Sequence, residues 1–215
     1  MVVGGWSLVA RLHAIVDVDL AVRAGWEPID LARAFLDGGA TLIQLRAKGL
    51  SSAAFLELAD AAVQVASPYH ASIIVNDRAD IALMSAAAGV HVGQDDLPPS
   101  AARRLLGEGA EVGLSTHSVP QVERALREPI SYLAVGPVFG TRSKDTGYAA
   151  VGLDLVRSAA RMAGALPLVG IGGITLANAR SVIDAGAASV AIISDLLDGN
   201  DPRSRTKAFL QALTS

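Results

Sequence analysis

The feature that most constrains this chain is a rhythm. A short, continuously apolar run rich in Val, Ile, Leu and Ala ends in a polar or glycine-bearing tip and is followed by helical spacing, and the unit recurs eight times. Leu8 to Asp17 precedes Pro28 to Leu36, whose Ile29, Leu31 and Phe35 share a helix face before Gly38-Gly39 closes it. Thr41 to Arg46 precedes a helix from Ala53 to Ala66 that Ser51 can cap. Ser72 to Val75 leads into Ala79 to Ala87, and Gly89 to Val92 into Ala101 to Leu106 behind Pro98 and Pro99. Glu111 to Leu114 is followed by Ser118-x-x-Gln121, the pattern of a capping box. Tyr132 to Val135 pairs with Leu153 to Met162, Leu168 to Ile171 with a helix from Thr175, and Ser189 to Ile193 with Arg203 to Leu213.

Strands that read as unbroken apolar runs, rather than alternating ones, are buried on both faces, which is the signature of a parallel sheet covered by helices. Eight such units in 215 residues, roughly 26 residues each, predict a compact (β/α)8 TIM barrel. No Pro/Gly/Ser linker or charge block divides the chain, so residues 1–215 read as a single domain with its functional face at the strand C-termini. An open doubly wound sheet is the competing α/β arrangement. It concentrates ligand signals at one switch point, whereas here polar residues crown nearly every strand.

Charge and composition narrow the partners. A net charge of −3 disfavours a broad polyanion-binding surface, so no nucleic acid is expected and any phosphate should be small and pocketed. The absence of cysteine excludes disulfides, thiolate metal sites and a Cys nucleophile. No apolar run reaches the roughly 18 residues that span a bilayer, and Met1 to Ala10 lacks a positive region ahead of its apolar residues. A cytoplasmic protein without membrane partners is the resulting expectation.

If all strand tips open onto one face, residues distant in sequence become neighbours there: Gln44, Arg46 and Lys48; Asn76 and Asp77; Gln94 and Asp96; Ser115; Thr141, Ser143 and Lys144; Gly172 and Gly173; and Ser194. Two acids on adjacent strand ends, Asp77 and Asp96, beside Arg46, Lys48 and Lys144 suit a Mg²⁺ held by carboxylates and completed by substrate phosphates. The stretch from Ala134 to Thr146 gathers Thr141, Ser143, Arg142 and Lys144 behind Gly136-Pro137 and Gly140, an anion cradle. Gly172-Gly173 allows either close backbone approach to a phosphate or simply a tight turn. Taken singly, other residues have structural readings: Asp77 as a helix cap, Asp95 and Asp96 as turn residues, His13 and His91 as core histidines, Arg46, Lys48 and Arg142 as solvated charges. His117 reads either way.

Six motifs carry a further observation. Gln44-Leu-Arg-x-Lys48, Asn76-Asp77-Arg78, His91-Val-Gly-Gln-x-Asp96, Gly113-Leu-Ser-Thr-His117, Val135-Gly-Pro-Val-Phe139 with Thr141-x-Ser-Lys144, and Gly170-Ile-Gly-Gly-Ile174 resemble the thiamine phosphate synthase family, in its order and spacing from Leu12 to about Ser194. The resemblance implies a transferase that joins 4-amino-2-methyl-5-pyrimidinylmethyl diphosphate to 4-methyl-5-(2-phosphoethyl)thiazole and releases pyrophosphate. By the same resemblance Asp77 and Asp96 would hold Mg²⁺ and Gln44 would orient the pyrimidine. Arg46, Lys48, Asn76, Ser115 and Lys144 would contact the diphosphate, with Lys144, Ser115, Arg46 and Lys48 as the catalytic set. Thr141, Ser143, Gly172, Gly173 and Ser194 would bind the thiazole phosphate. One departure is Gly140, where the family commonly has proline, which should loosen the loop.

The implied chemistry also accounts for an absence. Displacement at an aminopyrimidine methylene can pass through a ring-stabilised carbocation, and the attacking thiazole nitrogen has no proton to lose. Neither a general base nor a protein nucleophile is needed, so catalysis falls to leaving-group stabilisation and positioning. A thiazole tautomerase-like relative and a non-catalytic phosphate-ligand-binding barrel are the alternatives. Neither has a use for two acids set among diphosphate-binding cations.

Overall fold

A computed structural model of the chain describes residues 10–140 and 149–214. Its strands close into one parallel barrel in sequence order, with β1 (Leu12–Asp17) paired to both β2 (Leu42–Arg46) and β8 (Ser189–Ile192). Between them run β3 (Ser72–Asn76), β4 (Gly89–Val92), β5 (Glu111–Thr116), β6 (Tyr132–Val135) and β7 (Leu168–Ile171). The closing register, with Leu12 opposite Val190 and Ala14 opposite Ile192, rules out the open doubly wound sheet. This is a (β/α)8 barrel. Ile15, Tyr132, Ala134, Val169 and Ala191 form one buried apolar cluster, while the opposite strand faces join the helices in the larger core. Burial on both faces is why the strand sequences do not alternate.

The helices are α1 (Val18–Arg23), α2 (Pro28–Asp37), α3 (Ser52–Ala66), α4 (Ala79–Met84), α5 (Pro99–Leu106), α6 (Val119–Ala125), α7 (Gly152–Ala163), α8 (Ala179–Asp184) and α9 (Pro202–Thr214), with a 3₁₀ segment at Ser194–Asn200. Several sequence expectations hold in detail. The Ser51 hydroxyl accepts from the Ala54 N–H at 3.3 Å, capping α3, and α5 starts on Pro99.

Four expectations need correction. The short helix α1 follows β1 directly and had no predicted counterpart; Asp17 starts it by accepting from the Leu20 N–H at 3.0 Å. Helix α4 ends at Met84 instead of Ala87, where the Ser85 hydroxyl donates to the Ile81 carbonyl and Ala86 turns at φ 53°. Helix α8 begins at Ala179 and not at Thr175, because the Asn178 side chain first accepts from the Thr175 N–H at 2.8 Å in a separate turn. The capping box at α6 does not form: Ser118 makes no side-chain cap, and Gln121 Oε1 accepts from the N–H of His117, the residue before the cap, at 2.6 Å.

Candidate active site

The site is laid out by strand register. Asp17 lies opposite Arg46 across β1 and β2, and Asn76, His91, Gly113 and Tyr132 form one continuous row across β3 to β6. Arg46 Nη1 donates to Asp17 Oδ2; the two side chains are 15% and 4% exposed, so this is no solvated rim charge. The Arg46 Nε is buried without a hydrogen-bond partner among the described residues. A guanidinium held by one buried carboxylate, with a donor to spare, is prepared for an anion.

Asp77 occupies the left-handed region at φ 65°, uncommon for a residue other than glycine, while its N–H donates to the His91 carbonyl at 2.8 Å. The helix-cap reading of Asp77 fails, because the N-cap position of α4 is Arg78 and no side chain caps it. Instead the Lys48 ammonium donates to Asp77 Oδ2, and the Asp96 carboxyl stands beside Asp77 closely enough to act on its ionisation. Burial pushes the Asp77 carboxyl above the usual range; Lys48 pulls it down, and the Asp96 carboxyl beside it raises it again. Asp96 Oδ2 also accepts from the Gly93 N–H at 2.8 Å, so its turn role and its pairing role coexist. Two oxygen ligands pressed together, one with a raised pKa, match what a hard divalent cation relieves. Among the described residues there is no cluster of three or more His, Cys, Asp or Glu side chains suited to a metal, so such an ion would draw its remaining oxygens from substrate and water.

Gln44 is buried in the middle of β2, two residues before Arg46, and Asn76 is buried at the end of β3. Ser115 Oγ, near the end of β5, lies 2.8 Å from His91 Nε2, and Gln94 Nε2 donates to the Ser115 carbonyl at 2.7 Å. His91 and His13 are core histidines, as their positions in strands imply. Burial, with a smaller push from His91, lowers the His13 pKa to about 3. His117 Nδ1 donates to the Gly136 carbonyl at 2.5 Å, which ties β5 to the segment after β6.

A cavity of about 490 Å³ opens on the other side of the crown, lined among others by Ser115, His117, Gly172, Gly173, Ser194 and Asp195. That size suits a small ligand. Asp195 Oδ2 accepts from the Leu176 N–H at 3.0 Å and from Arg205 Nη2 at 2.7 Å, so Arg205 answers a carboxylate that would otherwise repel an anion. Gly172 (φ 94°) and Gly173 (φ 64°) serve packing as well as access: an added Cβ would lie 2.5 Å from Pro137 Cβ or from the Gly140 carbonyl oxygen, respectively. The structure therefore divides the sequence-derived residues. Gln44, Arg46, Lys48, Asn76, Asp77 and Asp96 lie in or just after β2 to β4, Gly172, Gly173 and Ser194 line the cavity by β7 and β8, and Ser115 stands between. Thr141, Ser143 and Lys144, with Arg142, lie outside the described residues.

The family model for thiamine monophosphate synthase matches residues 12–196. The chain belongs to that family. A thiamine-phosphate synthase of Koribacter versatilis is 47% identical over 210 residues, covering 95% of this chain and 96% of that protein. One from Thermus thermophilus is 38% identical over 96% of this chain and 98% of its own. Among solved structures, a thiamine phosphate pyrophosphorylase from Pyrococcus furiosus superposes with a TM-score of 0.86 at 30% identity, covering 96% of both chains. The resemblance drawn from the six motifs thus holds: this is an enzyme of the thiamine monophosphate synthase family, a transferase of thiamine biosynthesis. Asp17, Tyr132 and Asp195 were missed as site residues. Asp17 carried the same signal as the rest, a polar residue ending an apolar strand, whereas Tyr132 lies at the start of its strand and Asp195 beyond the end of β8.

Proposed function

We propose that the enzyme condenses 4-amino-2-methyl-5-pyrimidinylmethyl diphosphate with 4-methyl-5-(2-phosphoethyl)thiazole, yielding thiamine phosphate and pyrophosphate. The observation that carries this reading is the run of charges at the ends of β1 to β4: the opposed pairs Asp17 with Arg46 and Lys48 with Asp77, and the like pair Asp77 and Asp96. A cavity for phosphate alone has no use for paired acids among cations; a diphosphate leaving group with a divalent ion does. Asp77 and Asp96 would hold Mg²⁺, which when bound neutralises charge developing on the departing diphosphate.

The chain's own residues supply the rest. Arg46 would offer its unpartnered Nε to an anion while Asp17 holds the guanidinium through Nη1. Lys48 would offer its ammonium to the diphosphate, and Asn76 and Ser115 would contribute neutral donors. Gln44 orients the pyrimidine from inside the crown. The cavity beside Gly172, Gly173 and Ser194 receives the thiazole phosphate, so the acceptor nitrogen meets the methylene near Ser115. Thr141 and Ser143 complete the acceptor site and Lys144 the donor site. Because the ring stabilises the carbocation, the residues need only hold charge and exclude water.

The test is Mg²⁺-dependent formation of thiamine phosphate by the wild type and by Asp77→Ala and Asp96→Ala. Loss of turnover in both variants supports the reading. Full activity in Asp77→Ala refutes the metal assignment, and no thiamine phosphate from the wild type with both substrates and Mg²⁺ refutes the reading and favours the tautomerase-like alternative, which binds no metal diphosphate.

A further inference from the structure

The barrel interior contains a connected polar chain that leads to the site but does not line it. Gly113 lies between His91 and Tyr132 in the row of paired strand residues. Because residue 113 has no side chain, the tyrosine ring reaches across β5: a Cβ there would lie 2.5 Å from His91 Nδ1 and would strike the Tyr132 ring. Tyr132 Oη stands 3.0 Å from His91 Nδ1, and the two rings stack at 5.5 Å with 24° between planes. The other imidazole nitrogen, Nε2, lies 2.8 Å from Ser115 Oγ, two residues up the same face of β5. Tyr132 is 1% exposed and His91 6%.

We propose that Tyr132 and His91 form a hydrogen-bond relay that fixes which way the Ser115 hydroxyl points, making both of them positioning residues for the diphosphate. The relay rests on the reading of Ser115 as a diphosphate contact. Its direction follows from proton inventory. Burial, and secondarily Glu111, pushes the phenol well above its ordinary pKa, so Tyr132 keeps its proton, and the relay directs that proton toward Nδ1, an acceptor in the tautomer that imidazole ¹⁵N shifts test. The imidazole then carries its own proton on Nε2 and donates to Ser115 Oγ. With a lone pair of Oγ occupied, the single hydroxyl proton is directed away from His91, toward an anion on the crown. No proton moves during turnover; what is gained is a donor already aimed.

The experiment is a double-mutant cycle read by calorimetric binding of inorganic pyrophosphate with Mg²⁺, using Ser115→Ala, Tyr132→Phe and the double variant. Tyr132→Phe keeps the ring and removes only the hydroxyl. Ser115→Ala is expected to weaken pyrophosphate by roughly tenfold. Tyr132→Phe is expected to weaken it roughly three- to tenfold when Ser115 is present and not at all when Ala occupies position 115. An equal loss in both backgrounds overturns the relay and makes Tyr132 merely structural. A loss with Ser115→Ala but none with Tyr132→Phe also overturns the relay, while leaving Ser115 as a diphosphate contact. No loss in either single variant overturns that reading of the site and the relay with it. Imidazole ¹⁵N shifts give an independent check in the unliganded protein: Nε2 should be pyrrole-type and Nδ1 pyridine-type, and the reverse tautomer contradicts the proposal whatever the binding data show.

Discussion

Asp17 serves two structures at once, which makes its substitution informative. Its Oδ1 caps α1 through the Leu20 N–H, and its Oδ2 accepts from Arg46 in a pair of which Asp17 is 4% exposed. Asp17→Asn keeps an acceptor at the cap, where Asn and Asp are about equal, but removes the charge. Breaking a fully buried pair from one side costs about 3 to 5 kcal/mol. Here Arg46 retains 15% exposure and an amide oxygen still accepts from it, so the expected cost is nearer 2 kcal/mol. Asp17→Ala also loses the cap, adding about 1 kcal/mol, and leaves Arg46 without an acceptor among the described residues, for a total of about 3 to 4 kcal/mol. With a urea m-value of about 2 kcal/mol/M, the unfolding midpoint falls by about 1 M for Asn and about 1.5 to 2 M for Ala. Because Arg46 is no longer oriented, the KM for the pyrimidine diphosphate should rise roughly tenfold in both variants. Asp17→Ala within 0.5 M of the wild-type midpoint, or an unchanged KM, would refute the claim that Asp17 holds Arg46 in place.

Asp77→Asn should abolish Mg²⁺-dependent turnover yet raise the melting temperature of the metal-free protein at pH 7. The raised folded pKa of Asp77 means that ionisation opposes folding above that pKa, and the penalty fades as pH falls through it; a lower melting temperature would contradict this. His13 titrates near 6.5 when unfolded and about 3 when folded, so its contribution is intact above pH 6.5 and is lost on acidification by up to about 1.4 kcal/mol per pH unit. Wild type should therefore lose urea stability relative to His13→Leu from pH 7 to pH 5, and a pH-independent difference would contradict the assignment. Gly113→Ala should lower stability by about 1 to 3 kcal/mol, measured by urea unfolding, because its Cβ has nowhere to go between Tyr132 and His91.

How far a sequence can be read here depends on the range of the physics involved. The barrel was legible because two-sided burial removes alternation from every strand, and that is a local property of each run. Crown residues such as Gln44, Asp77 and Ser115 were legible because they share one phase relative to those runs. Asp17 escaped attention although it shares the phase: its role depends on pairing with Arg46 on the next strand, a relation that only register reveals. The row Asn76, His91, Gly113, Tyr132 was hidden for the same reason, since a glycine gap admits a ring from two strands away. Short helices were the least legible. Helix α1 has only six residues and is capped by the last residue of β1, while α8 gives its first turn to the Asn178 cap. The division of labour assigned to Thr141, Ser143 and Lys144 falls on residues outside those described, and it stands as part of the proposal.

The role proposed for this charged crown is to activate a diphosphate leaving group for attack by thiazole phosphate. It is tested most directly by mixing the purified protein with both substrates and Mg²⁺ and following phosphorus species by ³¹P NMR, with mass spectrometry of the product. The expected result is thiamine phosphate and pyrophosphate appearing in equal amounts and only when all three components are present. Pyrophosphate released without thiamine phosphate, or no reaction at all, would contradict the account.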